Sequence, residues 1–219
     1  MPTRVDRLQL ADGPVDLPVW LPAGGRGPGL VLVQEIFGLD AYLSGVASDL
    51  ADLGYVVAVP ELFHRFAPGW SSAHDEAGVA RSMEVSGQLD PALALSDVLA
   101  TLAHLRAMTS GAGVLGFCLG GSLAFAAAAA GTPDTAVSFY GSTVAAEIAS
   151  LDEVVVSAGL GVALLPRLLV LDAPPSVVVL PMRQPTIVRR LCTCRLGTRG
   201  VTAPSRQLEA YLREAATEL

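Results

Sequence analysis

The sequence predicts an α/β fold built on a doubly wound parallel sheet, and three patterns carry that expectation. Short, continuously apolar runs recur at residues 29–34, 55–59, 113–117 and 136–140. Runs of that length read as strands buried on both faces. Longer segments with helix caps lie between them, and such alternation gives parallel βαβ units. The third pattern is composition. Of 219 residues, 52% are hydrophobic and 16% charged, with a mean hydropathy of +0.51. That supplies a core and excludes a disordered chain.

Taken in order, residues 15–21 read as a short strand followed by the turn Pro22-Ala23-Gly24-Gly25. The run 29–34 ends at Glu35. Asp40 can cap a helix whose apolar positions continue to Leu53, and Gly54 closes it. The next strand is stopped by Pro60, and residues 64–78 read as a polar loop. Pro91 opens a helix over about residues 91–108, where its missing N–H needs no partner. Strand 113–117, an Ala-rich helix over 120–130 ended by Gly131, and strand 136–140 follow. The texture changes after about Ala145. Residues 150–219 hold Pro166, Pro174, Pro175, Pro181, Pro185 and Pro204. They end in an amphipathic helix at about 204–219, with Leu208, Tyr211, Leu212 and Ala215 on one stripe.

Bulk properties narrow the function classes. A net charge of −7 and a pI near 4.9 argue against a nucleic-acid surface. The run at 119–131 is too short for a membrane span, and Pro166 and Arg167 interrupt the run at 154–171. Residues 1–9 carry charges and no apolar signal core, so the expected location is the cytoplasm, with no membrane contact. Cys118, Cys192 and Cys194 are three cysteines with one C-x-C pair, which is not a disulfide framework. No second ligand pair has metal-site spacing, so neither metal nor cofactor is expected.

The chemistry-bearing motif is Gly116-Phe117-Cys118-Leu119-Gly120-Gly121, between a predicted strand and a predicted helix. It has the nucleophile-elbow pattern, with cysteine in place of serine. The tight turn lifts the nucleophile, and glycines on either side let neighbouring backbone pass close. Sulfur at the helix N-terminus is expected to favour thiolate. The N–H of Leu119 is placed to hold an oxyanion. An inert buried Cys in a Gly-rich turn is the plainer alternative. The second motif is Gln34-Glu35-Ile36-Phe37-Gly38, at the end of an apolar strand. Strand C-termini line the crevice of an open α/β sheet, so Glu35 can face Cys118. A solvent-exposed strand-end Glu is the alternative.

Together these segments resemble the dienelactone hydrolase family of the α/β-hydrolase fold. The matching residues are Val33-Gln34-Glu35-Ile36-Phe37-Gly38, Leu50 to Tyr55, Val59-Pro60-Glu61-Leu62-Phe63, Gly116 to Gly121, and Phe139-Tyr140-Gly141. They fall within about residues 1–148. The resemblance implies an ester or lactone hydrolase, in effect a carboxylesterase, acting on a small-molecule substrate as a monomer or weak homodimer. It implies Cys118 as nucleophile, Glu35 as the group that helps form thiolate, and the N–H groups of Leu119 and Ile36 as the oxyanion hole. Arg81 lies where the family places a substrate-carboxylate arginine; a solvated helix Arg fits equally well.

The resemblance also implies a His and an Asp from the last third. His64, His74 and His104 all precede Cys118, Cys194 and Gly197 stand where the His is expected, and Asp172 is the nearest acid. Impaired turnover is therefore expected, with His64 or His74 as possible stand-ins from the 64–78 loop. Residues 150–219 instead resemble the end of a LysR-type regulator's effector-binding domain, through Val156-Ser157-Ala158-Gly159-Leu160-Gly161-Val162-Ala163-Leu164-Leu165-Pro166. The expected architecture is a truncated hydrolase sheet over 1–148 joined to a LysR-like α/β segment over 149–219. The alternative function is a non-catalytic, ligand-binding or regulatory fusion protein.

Overall fold

The computed structural model describes residues 1–130, 132–143 and 162–164. The chain divides into units Met1–Val177 and Val178–Leu219, and the described residues all lie in the first. Its seven strands are β1 (Arg4–Leu10), β2 (Gly13–Trp20), β3 (Gly29–Val33), β4 (Val56–Ala58), β5 (Ala112–Phe117), β6 (Ala136–Phe139) and β7 (Val162–Leu164). They form one sheet in the order β1-β2-β4-β3-β5-β6-β7. The helices described are α1 (Ala41–Asp52), α2 (Glu76–Ser86), α3 (Pro91–Arg106) and α4 (Leu119–Ala129).

From β4 to β7 every neighbouring pair is parallel, as the apolar runs predict. The N-terminal edge adds antiparallel strands to the doubly wound parallel sheet. β1 and β2 form an antiparallel hairpin, and β2 runs antiparallel to β4. Ala11 and Asp12 alone join β1 to β2. So short a link permits a hairpin and not a parallel crossover. Strand β1 escapes the sequence reading because Arg4, Asp6 and Arg7 interrupt its first half, and only Leu8 and Leu10 are buried.

Burial on β3 alternates between two apolar layers. Val31 and Val33 join a cluster with Ala94, Val98 and Leu102 of α3 and Leu123 of α4. Leu32 joins a second cluster with Leu43, Ala47 and Ala51 of α1. Successive strand residues point to opposite faces, so helices cover both faces of the sheet. Asp40 caps α1 as read from the sequence, its Oδ1 accepting from Leu43 N at 2.8 Å. Helix α2 carries Arg81, read as a helix residue, but no bounds for it follow from the sequence pattern. Only Gly78 and Ser82 of it are buried, so it shows no apolar stripe.

At the far edge, β7 pairs with β6 through Val137↔Val162 and Phe139↔Leu164. These three residues belong to the LysR-like motif, which is otherwise outside the described residues. Cys192, Cys194, Asp172 and the predicted helix at 204–219 are also outside them. Among the described residues, no helix is long and apolar enough to cross a membrane.

Candidate active site

Three adjacent parallel strands deliver three side chains to one end of the sheet. Register pairs Val33 of β3 with Gly116 of β5, and Phe117 of β5 with Phe139 of β6. The residues just past these strand ends are Gln34-Glu35, Cys118 and Tyr140. Their shared position follows from the ladder, and it is the crevice position of an open α/β sheet.

Cys118 has φ 52° and ψ −114° and stands directly before α4. A non-glycine residue there is strained and must be held by its surroundings. Its N–H donates to Phe139 O at 2.9 Å, and its carbonyl accepts from Ser122 N at 3.0 Å. The glycines around it are steric requirements. A Cβ on Gly116 would lie 2.0 Å from Gly120 O, and one on Gly120 would lie 2.3 Å from Val33 O. The glycines thus let the elbow close and let α4 sit against the end of β3.

The thiol is half-buried, and burial pushes its pKa up; the Leu119 amide hydrogen bond pulls it down, and the charge of Glu35 pushes it up again. This corrects the expectation that the helix N-terminus would favour thiolate. One amide does not offset desolvation plus a neighbouring carboxylate. Burial likewise raises the pKa of Glu35, which is opposed by a hydrogen bond from Tyr140 and the nearby charge of His74, and reinforced by Asp40. Tyr140 Oη donates to Glu35 Oε1 at 3.1 Å. Tyr140 itself has φ 43°, and burial with the Glu35 charge drives its pKa above the usual phenol range.

Among the described residues, the Ile36 and Leu119 amides donate to no backbone carbonyl outside the helices and strands. The Ile36 carbonyl accepts from Trp70 Nε1 at 3.2 Å, which fixes that turn. Aromatic rings surround the cluster. Phe117 stacks on Phe139 with centroids 4.9 Å apart and tilts against Tyr140 at 6.0 Å. Tyr42 meets Phe117 edge-on at 6.4 Å. A half-buried thiol, a carboxyl whose pKa burial raises and strand-end amides are the parts of an acyl-transfer site.

The structure therefore brings Cys118, Glu35, Ile36 and Leu119 to one place. Arg81 is exposed on α2, and among the described residues it forms no hydrogen bond or ion pair. His64 lies 3.4 Å from Asp97 and His104 lies 2.9 Å from Asp6. Tyr140 had no role in the sequence reading, although its place after strand 136–139 is the same strand-end signal that singled out Glu35. Among the described residues, no group of three or more His, Cys, Asp or Glu could hold a metal ion.

Comparison with known proteins identifies the family. A model of the dienelactone hydrolase family matches residues 16–163. That match continues past residue 148 into the stretch carrying the LysR-like motif. The chain is similar to a carboxymethylenebutenolidase of Pseudomonas sp. (strain P51), 36% identical over 125 residues, covering 55% of this chain and 52% of the relative. It is similar to the carboxymethylenebutenolidase of Pseudomonas putida, 34% identical over 137 residues, covering 61% of this chain and 58% of the relative. The chain thus spans about half the length of the curated relatives it matches. A candidate dienelactone hydrolase from Klebsiella pneumoniae subsp. pneumoniae superposes with a TM-score of 0.50 at 25% identity, over 63% of this chain and 60% of that one.

Proposed function

Since the chain belongs to the dienelactone hydrolase family, we propose that its strand-end cluster hydrolyses a small ester or lactone with Cys118 as nucleophile. The carrying observation is the strained cysteine on a strand–turn–helix bend, with the Glu35 carboxyl beside it. The relatives' name, carboxymethylenebutenolidase, supports an unsaturated lactone as the substrate class.

In this reading Glu35 takes the thiol proton. The sulfur electron pair attacks the carbonyl carbon, and the carbonyl oxygen gains charge. The amides of Leu119 and Ile36 hold that oxyanion. When the tetrahedral intermediate collapses, the ring or ester C–O bond breaks and the leaving oxygen takes the proton. Water then attacks the thioester, releasing the acid and restoring the thiol. A thiol held protonated by burial makes the carboxyl necessary, because only the thiolate is an effective nucleophile. Arg81, on α2, is assigned to a substrate carboxylate. The LysR-like resemblance over 149–219 rests on its sequence motif alone, and residues 162–164 of it pair with β6 in the same sheet.

The test is the burst of p-nitrophenolate from p-nitrophenyl acetate with the full chain. Cys118→Ser is expected to abolish the burst and lower turnover by about 10⁴-fold, the scale of losing a catalytic nucleophile. An unchanged burst removes Cys118 from the mechanism.

A further inference from the structure

The turn that carries Glu35 is tied down at its carbonyls. Gly38 N donates to Glu35 O at 3.3 Å and closes residues 35–38 into a tight turn. Gln34 precedes that turn and is fully buried. Its Oε1 accepts from Leu62 N at 3.2 Å, and its Nε2 donates to Glu35 O at 3.4 Å. The Leu62 N–H only donates, so it fixes which end of the Gln34 amide is oxygen. One residue on, Ile36 O accepts from Trp70 Nε1 at 3.2 Å. The loop that carries Trp70 is braced on the same turn. Ser72 N donates to Phe37 O at 3.1 Å, and His74 Nε2 lies 2.6 Å from Asp40 Oδ2. A Cβ on Gly38 would lie 2.0 Å from Trp70 O, so loop and turn meet backbone to backbone.

These bonds converge on one amide. The Glu35 carbonyl and the Ile36 N–H belong to the same peptide, which is planar and trans. They point in opposite directions, so holding the carbonyl aims the N–H. The next peptide is held in turn, because its carbonyl, that of Ile36, is the acceptor for Trp70. Hydrogen bonds received at a carbonyl also polarise the peptide and strengthen its N–H as a donor. Gly120 brings this arrangement to the elbow: a Cβ there would lie 2.7 Å from Gln34 O. Gly120 follows Leu119, so the Ile36 and Leu119 amides come from chain segments in backbone contact.

We propose that Gln34 and Trp70 are positioning residues for the oxyanion hole, aiming the Ile36 N–H through the two peptides that flank it. This deepens the reading above and rests on Ile36 being an oxyanion donor to the Cys118 adduct. Neither side chain touches substrate. As the C–S bond forms, the carbonyl π pair moves onto oxygen, and it returns when the leaving C–O bond breaks. A donor already aimed at that oxygen needs no reorganisation when the charge appears.

The experiment compares two reactions of Cys118 in the full chain. Acylation by p-nitrophenyl acetate, read as the burst rate constant, builds charge on a carbonyl oxygen. Alkylation by iodoacetamide is a displacement at saturated carbon and builds no oxyanion. It is read by mass spectrometry on the peptide carrying Cys118, so that Cys192 and Cys194 do not contribute. Trp70→Phe keeps a ring and removes the indole N–H. It is expected to slow acylation about 10-fold, short of the roughly 100-fold lost with an oxyanion donor itself. KM and the alkylation rate are expected to stay at wild-type values. Gln34→Met keeps the side-chain length, removes both of its hydrogen bonds and is expected to show the same split. Acylation and alkylation falling together would mark a merely structural role and overturn the proposal. Wild-type acylation in Trp70→Phe overturns it equally, and that variant decides alone should Gln34→Met not fold. A burst that survives in Cys118→Ser overturns the underlying reading instead, and is recognised in that variant alone.

Discussion

Asp97 and Glu35 are both carboxyls set into apolar packing, and the fold treats them in opposite ways. The Asp97 side chain is 3% exposed and both its oxygens are taken by Arg65, at 2.6 and 2.9 Å. Arg65 also holds Asp12, in the β1–β2 turn, at 2.6 Å, so one guanidinium ties α3 to the hairpin. Glu35 has one side-chain hydrogen bond, from Tyr140. A buried charge with its full set of partners is a fixture. One left short of partners holds its proton more tightly than a solvated carboxyl does, and such perturbed groups gather at reactive sites.

The largest effect should come from the fixture. Asp97→Ala leaves Arg65 facing an empty buried site and should lower stability by about 3 kcal/mol, in the range for breaking a buried ion pair. Urea unfolding measures it. The pH profile of Cys118 alkylation in the folded fraction should not change. A loss below about 1 kcal/mol would place Asp97 among surface pairs and break the contrast.

Gly120→Ala tests whether the site depends on close backbone packing. The added carbon would meet Val33 O at 2.3 Å and Gln34 O at 2.7 Å. Both acceptors are backbone, so α4 must shift, at about 1–3 kcal/mol. The p-nitrophenyl acetate burst should fall further than stability predicts, because the shift separates Cys118 from Glu35. A burst lost only in proportion to unfolded protein would show that the approach of α4 to β3 serves packing alone.

These two carboxyls also mark how far the sequence could be read. Strands β3 to β6 are apolar on both faces and α3 announces itself with Pro91, so local pattern reveals them. The cysteine elbow is six consecutive residues, and Glu35 ends a buried strand; both are local signals. Strand β1 and helix α2 are not legible, the first because charges fall on both faces of its first half, the second because its buried face is Gly and Ser. The Arg65–Asp97 clamp spans 32 residues and the His74–Asp40 pair 34, and nothing in either neighbourhood names its partner. The thiol was misjudged for a related reason. A helix N-terminus can be read from sequence, whereas the burial that overrides it depends on three strands meeting.

Glu35→Gln sharpens the contrast through pH. The folded-state pKa of Glu35 is raised above 4.5, so the native state holds this proton more tightly than the unfolded chain. Its contribution to stability is complete below the unfolded value and is lost as pH rises through the folded value. Glutamine does not titrate. The variant should therefore gain stability relative to wild type as pH rises from 4 toward 7, read as melting temperature. Because the Glu35 charge raises the Cys118 pKa, the alkaline rise in alkylation should move to lower pH while the ester burst slows. Both rates moving together would mean that Glu35 acts only as a charge.

The smallest effect belongs to Tyr140→Phe. Tyr140 is 40% exposed, and loss of its 3.1 Å bond to Glu35 should lower stability by no more than about 1 kcal/mol. Its value lies in direction. That bond is the chief influence holding the Glu35 pKa down against burial. Without it the carboxyl should bind its proton to still higher pH. In Tyr140→Phe, the pH at which the stability gain of Glu35→Gln levels off should therefore shift upward, while its onset, set by the unfolded chain, stays in place. Asp97 has two oxygens anchored and would not respond to one such deletion so readily, since its remaining bonds hold the charge in place. If the levelling-off does not move, the hydroxyl is a bystander, and Glu35 depends on burial more than on its single partner.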